Sequence, residues 1–203
     1  MISESRENNR HRGFTLVEVL LTLSLILVAM TLVVPSVMYL VHDRDLKSSV
    51  DEVRVELSRT RMHALDAGAT YQFRYEPGGV RYIVLPEEFD VLENEQTQAQ
   101  ETNASVAPQI FKQVFELPEG FQFENMIEDL PVEQLPEDWL SGLPDKLDLV
   151  STNWAPPILF YPDGTAVESE FRVVETERSQ SMRLSVRGLT GAVTVSSIQA
   201  EKQ

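Results

Sequence analysis

The sequence predicts an α+β fold, a long N-terminal helix packed on a small antiparallel β-sandwich-like domain, and three observations predict it. Phe14 to Val41 is an almost unbroken apolar run, and about 20 apolar residues suffice to cross a bilayer as a helix. Directly after it, Leu46, Val50, Val53, Leu57, Arg61 and Ala64 or Leu65 recur at steps of three and four, with Asp45, Lys47, Asp51, Glu52, Arg54 and Glu56 on the other faces. One such stripe marks a helix laid on a core. From Tyr71 the period changes to two, and turns rich in Gly and Pro begin to separate short strands.

The helix comes first. A helix from Phe14 to Ala67 would be about 80 Å long at about 1.5 Å per residue, with Gly68 as its C-cap. No globular domain of this size needs such a rod, whereas a chain that packs its first half in a membrane or a filament does. Pro35 would bend it or weaken its hydrogen bonds locally. Tyr39, near the outer end of the apolar run, reads as an interfacial anchor. Ahead of the run, Met1 to Gly13 is polar and carries Arg6, Arg10, Arg12 and His11 against Glu4 and Glu7. Arginines flanking a span stay cytoplasmic, so residues 14–41 are expected to span the membrane once and residues 42–203 to lie outside. An ordinary secretory signal puts a small-residue cleavage site after a short apolar region. Here the run is too long, and the candidate small residue, Gly13, precedes it. Cleavage after Gly13 would remove residues 1–13 and keep the whole apolar helix.

Glu18 interrupts that helix at the fifth residue of the run. A lone carboxylate in hydrocarbon costs about 2.5–3.5 kcal/mol on insertion scales and marks a function by default. Either a cationic partner or a depth shallow enough to reach headgroups and water relieves that cost.

The strands follow. Tyr71, Phe73 and Tyr75, the turn Pro77-Gly78-Gly79, and Val80, Tyr82 and Val84 read as a β-hairpin. Residues 86–109 are acidic and Gln-rich and read as a loop. Ile110–Leu117 and Phe121–Ile127 read as a second strand pair around Pro118-Glu119-Gly120. Residues 128–157, acidic and Pro-rich, read as another long connection, pinned to the body by Trp139, Leu140, Leu143, Leu147 and Leu149. Ile158–Tyr161, Val167–Val174, Met182–Arg187 and Ala192–Ile198 read as strands, with turns at Pro162–Thr165 and Gly188–Gly191.

Composition narrows the function. The net charge is −15, and most acidic residues lie after Leu85. Such a surface repels a phosphate backbone, so nucleic acid is a poor partner and the acidity serves solubility. With no cysteine in the chain, disulfides, thiolate nucleophiles and Cys-based metal sites are excluded.

The stretch "RGFTLVEVLLTLSLILVAM" resembles the class III signal of type IV pilins and type II secretion pseudopilins, with Gly13, Phe14, Thr15, Leu16 and Glu18 on the pattern and Pro35 at the position of the helix-kinking proline. The resemblance implies that a prepilin peptidase cuts after Gly13 and N-methylates Phe14. It implies that Glu18 pairs with the N-terminal amine of a neighbouring subunit and sets axial register, and that Pro35 lets the helix partly melt in a filament. "ILFYPDGTA" and "MRLSVRGLTGAVTVS" resemble the C-terminal signature of the H-type (GspH) pseudopilins and FimT-type minor pilins, whose fold is pilin-like. The function implied is a minor pseudopilin of a type II secretion system, with a FimT-like minor pilin of a type IV pilus or DNA-uptake machine as the alternative. The subunit would be anchored in the bacterial inner membrane, with its N-terminus cytoplasmic and its domain periplasmic. Its partners would be the prepilin peptidase, other pseudopilins or pilins and the inner-membrane platform protein.

Nothing in the residues argues for catalysis. There is no G-x-S-x-G motif and no phosphate-binding Gly-rich loop, so no enzyme activity, cofactor or metal is expected. His42 and Asp45 could share a helical face as metal ligands, but a polar rim where the helix leaves the bilayer explains them more simply. His63 reads as a surface or core-edge residue. Asp163-Gly164 is first a turn. Arg172, Arg178, Arg183 and Arg187 could form a DNA-binding patch, yet Glu168, Glu170, Glu175 and Glu177 are interleaved with them.

Overall fold

The computed structural model describes residues 15–87, 111–127, 129–177 and 180–200, with the backbone alone between 31 and 43. The chain divides into two compact units, Met1–His42 and Asp43–Gln203. Helix α1 (Leu16–Ala67) contributes residues to both. Pro35 lies within its helical backbone, and Gly68 closes it at φ +65°, the left-handed conformation a C-cap requires.

The second unit is an α+β body in which the Asp43–Ala67 part of α1 packs on two antiparallel sheets. The strands are β1 (Tyr71–Tyr75), β2 (Arg81–Pro86), β3 (Gln113–Glu116), β4 (Phe121–Asn125), β5 (Ile158–Phe160), β6 (Ser169–Glu175), β7 (Gln180–Val186), β8 (Val193–Val195) and β9 (Gln199–Ala200), with a short helix α2 (Lys146–Ser151) before β5. The first sheet has the order β3-β2-β1-β5, and the second β4-β6-β7-β8, with β9 also paired to β7.

The β1–β2 hairpin forms as its alternation predicts, in register from Tyr71 opposite Pro86 to Tyr75 opposite Tyr82. Its inward residues Tyr71, Phe73, Tyr75, Tyr82 and Val84 meet Leu46, Val50, Val53, Leu57 and Ala64 of α1 and the inner face of the second sheet in one core. The stripe on α1 is fully buried, at about 1.5–3 kcal/mol for each large apolar side chain removed from water. Aromatic rings tie the sheets together, with Tyr75 and Phe171 centroids 4.7 Å apart and Tyr82 and Phe123 at 5.6 Å.

The opposite face of the first sheet is also covered, which alternation alone would not suggest. Ile83 and Leu85 join Leu135, Leu140, Leu149 and Trp154 in a second buried cluster. The covering segment is the 128–157 connection. It is pinned by a reciprocal backbone pair between Glu133 and Trp154 at 2.9 and 2.8 Å and by the Trp154 indole donating to the Leu149 carbonyl. Buried Arg74 joins both layers: its Nε donates to Gln72 Oε1 at 2.7 Å and its Nη1 to Glu133 Oε2 at 3.0 Å.

Two expectations change here. Residues 113–116 and 121–125 do not pair with each other. β3 pairs with β2 and β4 with β6, so the segment Leu117–Gly120 carries the chain from one sheet to the other. Leu140 and Leu149 are buried and Trp139 and Leu143 pack partly against them, but Leu147 is 84% exposed: it sits on the solvent face of α2 while Leu149 takes the inner face. Most of the expected loop 86–109 lies outside the described residues.

Candidate functional site

Two places in the fold concentrate the residues singled out by the sequence. The first is the start of α1. Gly13 and Phe14 lie outside the described residues. Thr15 stands just before the helix, and its Oγ1 accepts the Glu18 N–H at 3.3 Å, an N-cap contact that satisfies one of the open donors of the first turn. Glu18 is thereby fixed in that turn, where the positive end of the helix favours a carboxylate. It is exposed, and no side chain among the described residues forms an ion pair with it.

From Leu16 to Met30 every side chain is exposed, including Leu16, Leu20, Leu23 and Leu27. The hydroxyls in this stretch supply their own acceptors: Thr22 donates to the Val19 carbonyl and Ser24 to the Leu21 carbonyl, both at 2.9 Å. Satisfied hydroxyls are far less costly in an apolar setting than open ones. Among the described residues no helix is long and apolar enough to cross a membrane; the side chains of 31–41, the rest of the expected span, lie outside them, as do those of Pro35, Tyr39 and His42.

The second place is the C-terminal end of α1, where the turns of the two C-terminal stretches meet. In the 161–165 turn, Gly164 N–H donates to the Tyr161 carbonyl at 3.0 Å and Asp163 Oδ1 accepts both the N–H and the hydroxyl of Thr165. Those hydrogen bonds hold the Asp163 pKa below the usual carboxylate range. In the 187–192 turn, Gly191 N–H donates to the Arg187 carbonyl at 2.8 Å. Ala166 N–H to the Gly188 carbonyl, 2.8 Å, ties one turn to the other. Arg61 runs between them, its Nε donating to the Gly164 carbonyl at 3.1 Å. A Cβ on Gly191 would stand 2.7 Å from Arg61 Cδ and 2.9 Å from the Gly164 oxygen. Gly164 and Gly191 have φ +86° and +58°, so glycine is needed for conformation at both and for space at Gly191. The sequence placed Arg61 on the core-facing stripe without giving it a role. A cation within an apolar stripe was the available signal.

The remaining candidates separate. His63 stacks on Phe111 at 4.0 Å between ring centroids, and burial lowers its pKa. Arg172 pairs with Glu124 at 2.6 Å, and Arg183 approaches Glu170 at 3.8 Å; Arg178 lies outside the described residues. Among the described residues no group of three or more His, Asp or Glu could hold a metal ion, and Asp45 is exposed.

Residues 8–34 match the model of the prokaryotic N-terminal methylation motif. The chain begins with a type IV pilin-type signal. A signal of this kind implies processing by a prepilin peptidase, association with a membrane and assembly with other pilin-like subunits. No curated protein matches the chain. Two solved structures of the minor pseudopilin EpsH from the type 2 secretion system of Vibrio cholerae are similar to it. One is 14% identical over 75% of this chain and 97% of that one, with a TM-score of 0.45. The other is 13% identical over 79% and 99%, with a TM-score of 0.44.

Proposed function

We propose that the chain is a minor pseudopilin of a type II secretion system, a non-catalytic subunit of a periplasmic filament that drives protein export. In this reading the leader 1–13 is removed after Gly13 and Phe14 becomes the methylated N-terminus. Residues 14–41 anchor the subunit in the inner membrane, and residues 42–67 and 68–203 form the periplasmic part of the helix and the β-rich domain. The subunit enters the filament from the membrane platform, with Glu18 paired to a neighbour's N-terminal amine and Pro35 allowing α1 to adapt.

The observation that carries the reading is one segment with two properties. The methylation motif covers residues 8–34, and the helix it opens exposes an apolar surface from Leu16 to Met30 with one carboxylate in its first turn. An apolar surface of that kind calls for lipid or neighbouring helices. Glu18 then supplies register, because a wrong neighbour leaves its charge uncompensated at a cost of about 2.5–3.5 kcal/mol. The alternative, a FimT-like minor pilin acting in DNA uptake, needs an open basic patch. The carboxylates beside Arg172 and Arg183 count against it.

A clean deletion tests the reading. Specific folded proteins should vanish from the culture medium and accumulate in the periplasm, as mass spectrometry of both fractions would report. Unchanged secretion, with loss of surface filaments or of transformation, would instead assign the chain to a pilus or uptake machine. The variant Glu18→Ala should be processed normally and fail to enter the filament fraction. Normal entry would make the chain a tethered periplasmic module that does not polymerise.

A further inference from the structure

We propose that the double turn pinned by Arg61 is a docking knob, presenting Leu189 to another pilin-like subunit whose facing surface has an apolar recess with a basic rim. This rests on the pseudopilin reading and names a surface that the reading leaves open.

Leu189 is 91% exposed, at the apex of the turn closed by the Gly191 N–H on Arg187. Leu65 and Val167, at 39% and 36%, are exposed as well. The two turns carry these neighbours: a Cβ on Gly164 would lie 3.7 Å from Leu65 Cδ2, and one on Gly188 would lie 3.6 Å from Glu168 Cβ. Single exposed leucines are ordinary on protein surfaces. This one differs in its support. Its turn is fixed beneath by Arg61, by the Ala166–Gly188 hydrogen bond and by two left-handed glycines, so ordering it on binding costs little. A rigid apolar anchor in a polar ring is the form that interface hot spots take.

Charge selects the partner. Asp66, Asp163 and Glu168 are exposed on or next to the elements that build the double turn, and among the described residues of the two turns Arg187 is the one exposed cation; the Thr165 hydrogen bonds keep Asp163 in place. Lys or Arg at the rim of the recess would meet these carboxylates and orient the encounter.

The test uses the full-length chain in its native membrane, with the photo-crosslinking residue p-benzoylphenylalanine incorporated at exposed Thr190 beside the anchor. The expected result is an adduct with a second chain bearing an N-terminal methylation motif, identified by mass spectrometry. Leu189→Asp should reduce that adduct about tenfold while Leu189→Met retains it. The same crosslinker at Leu147, equally exposed on α2, should give no such adduct. If the chain is processed and enters the filament fraction yet Thr190 yields no adduct, yields lipid adducts alone, or yields one indifferent to Leu189→Asp, the docking proposal is overturned and the pseudopilin reading stands. If the leader is retained and no pilin-like chain co-fractionates, both fall.

Discussion

The residues of α1 before and after its middle have opposite fates. Leu46, Val50, Val53, Leu57 and Ala64 are wholly buried in the core of their own domain, while between Leu16 and Met30 apolar side chains point outward on every side. The difference lies in arrangement. After Asp43 most of the apolar residues keep to one face, which a single sheet-built surface covers, while charges and a few exposed apolar side chains such as Val55 and Met62 occupy the rest. Before Met30 they surround the axis, and no one surface could cover them all. An all-round apolar helix requires a medium or a ring of neighbours, a one-sided helix requires only a fold.

This comparison can be broken by truncating a leucine on each side. Leu57→Ala should destabilise the domain by about 3 kcal/mol through the cavity it leaves, read as a lower urea midpoint. Leu23→Ala should leave that midpoint unchanged and act on membrane or filament partitioning alone. A comparable loss from both would mean that the N-terminal stretch belongs to the core of the domain after all.

The join between helix and turns should show the next largest effect. Gly191→Ala forces a side chain into a left-handed position and against Arg61, and should cost about 1–3 kcal/mol. Arg61→Ala should cost about 1 kcal/mol, the usual scale of one hydrogen bond. The double variant should cost less than the sum, since removing Arg61 opens the space that the new methyl needs. Additivity in this cycle would sever the link between the two residues.

The smallest effect sharpens the comparison at the core edge, where His63 leaves the buried stripe. Its pKa is held below the ordinary value near 6.5, first by burial, with Arg59 adding to the shift and Glu56 and Asp66 opposing it. The unfolded chain therefore takes up a proton near pH 6.5 that the folded chain refuses until lower pH, so this residue contributes a loss of stability on acidification. Compared with His63→Gln, the wild-type protein should lose more stability between pH 7.5 and 5.5 in matched urea titrations.

Much of the fold was legible because its signals are local. The stripe on α1, the alternation of β1 and β2 and the glycine turns at 78, 164 and 191 are written within a few residues of one another. The pairing of β3 and β4 was not, because a strand pair separated by Pro118-Glu119-Gly120 reads as a hairpin whether the strands join each other or two different sheets. That choice was set by partners as far apart as Phe121 and Glu175, a non-local decision that short-range patterns do not encode. The 128–157 connection was legible in part: Trp139, Leu140, Leu143 and Leu149 pin it as their apolar character suggests, but neither Trp154 nor the face of Ile83 and Leu85 that they cover could be picked out locally. At the candidate site, Glu18 stood out because a carboxylate breaks an apolar run. Arg61 did not, because only the folded chain brings residues 164 and 191 to it.

The self-satisfied hydroxyls of Thr22 and Ser24 have a consequence for how α1 changes surroundings. With their protons committed to Val19 and Leu21 within the same turn of helix, they demand almost the same of lipid as of a packed protein wall. For these two hydroxyls exchanging one environment for the other is then close to neutral, and in the proposed filament the direction of the exchange is left to the Glu18 carboxylate. In that proposed reading the helix is held by its surroundings without being committed to them, and a cation beside Glu18 would decide which side it takes.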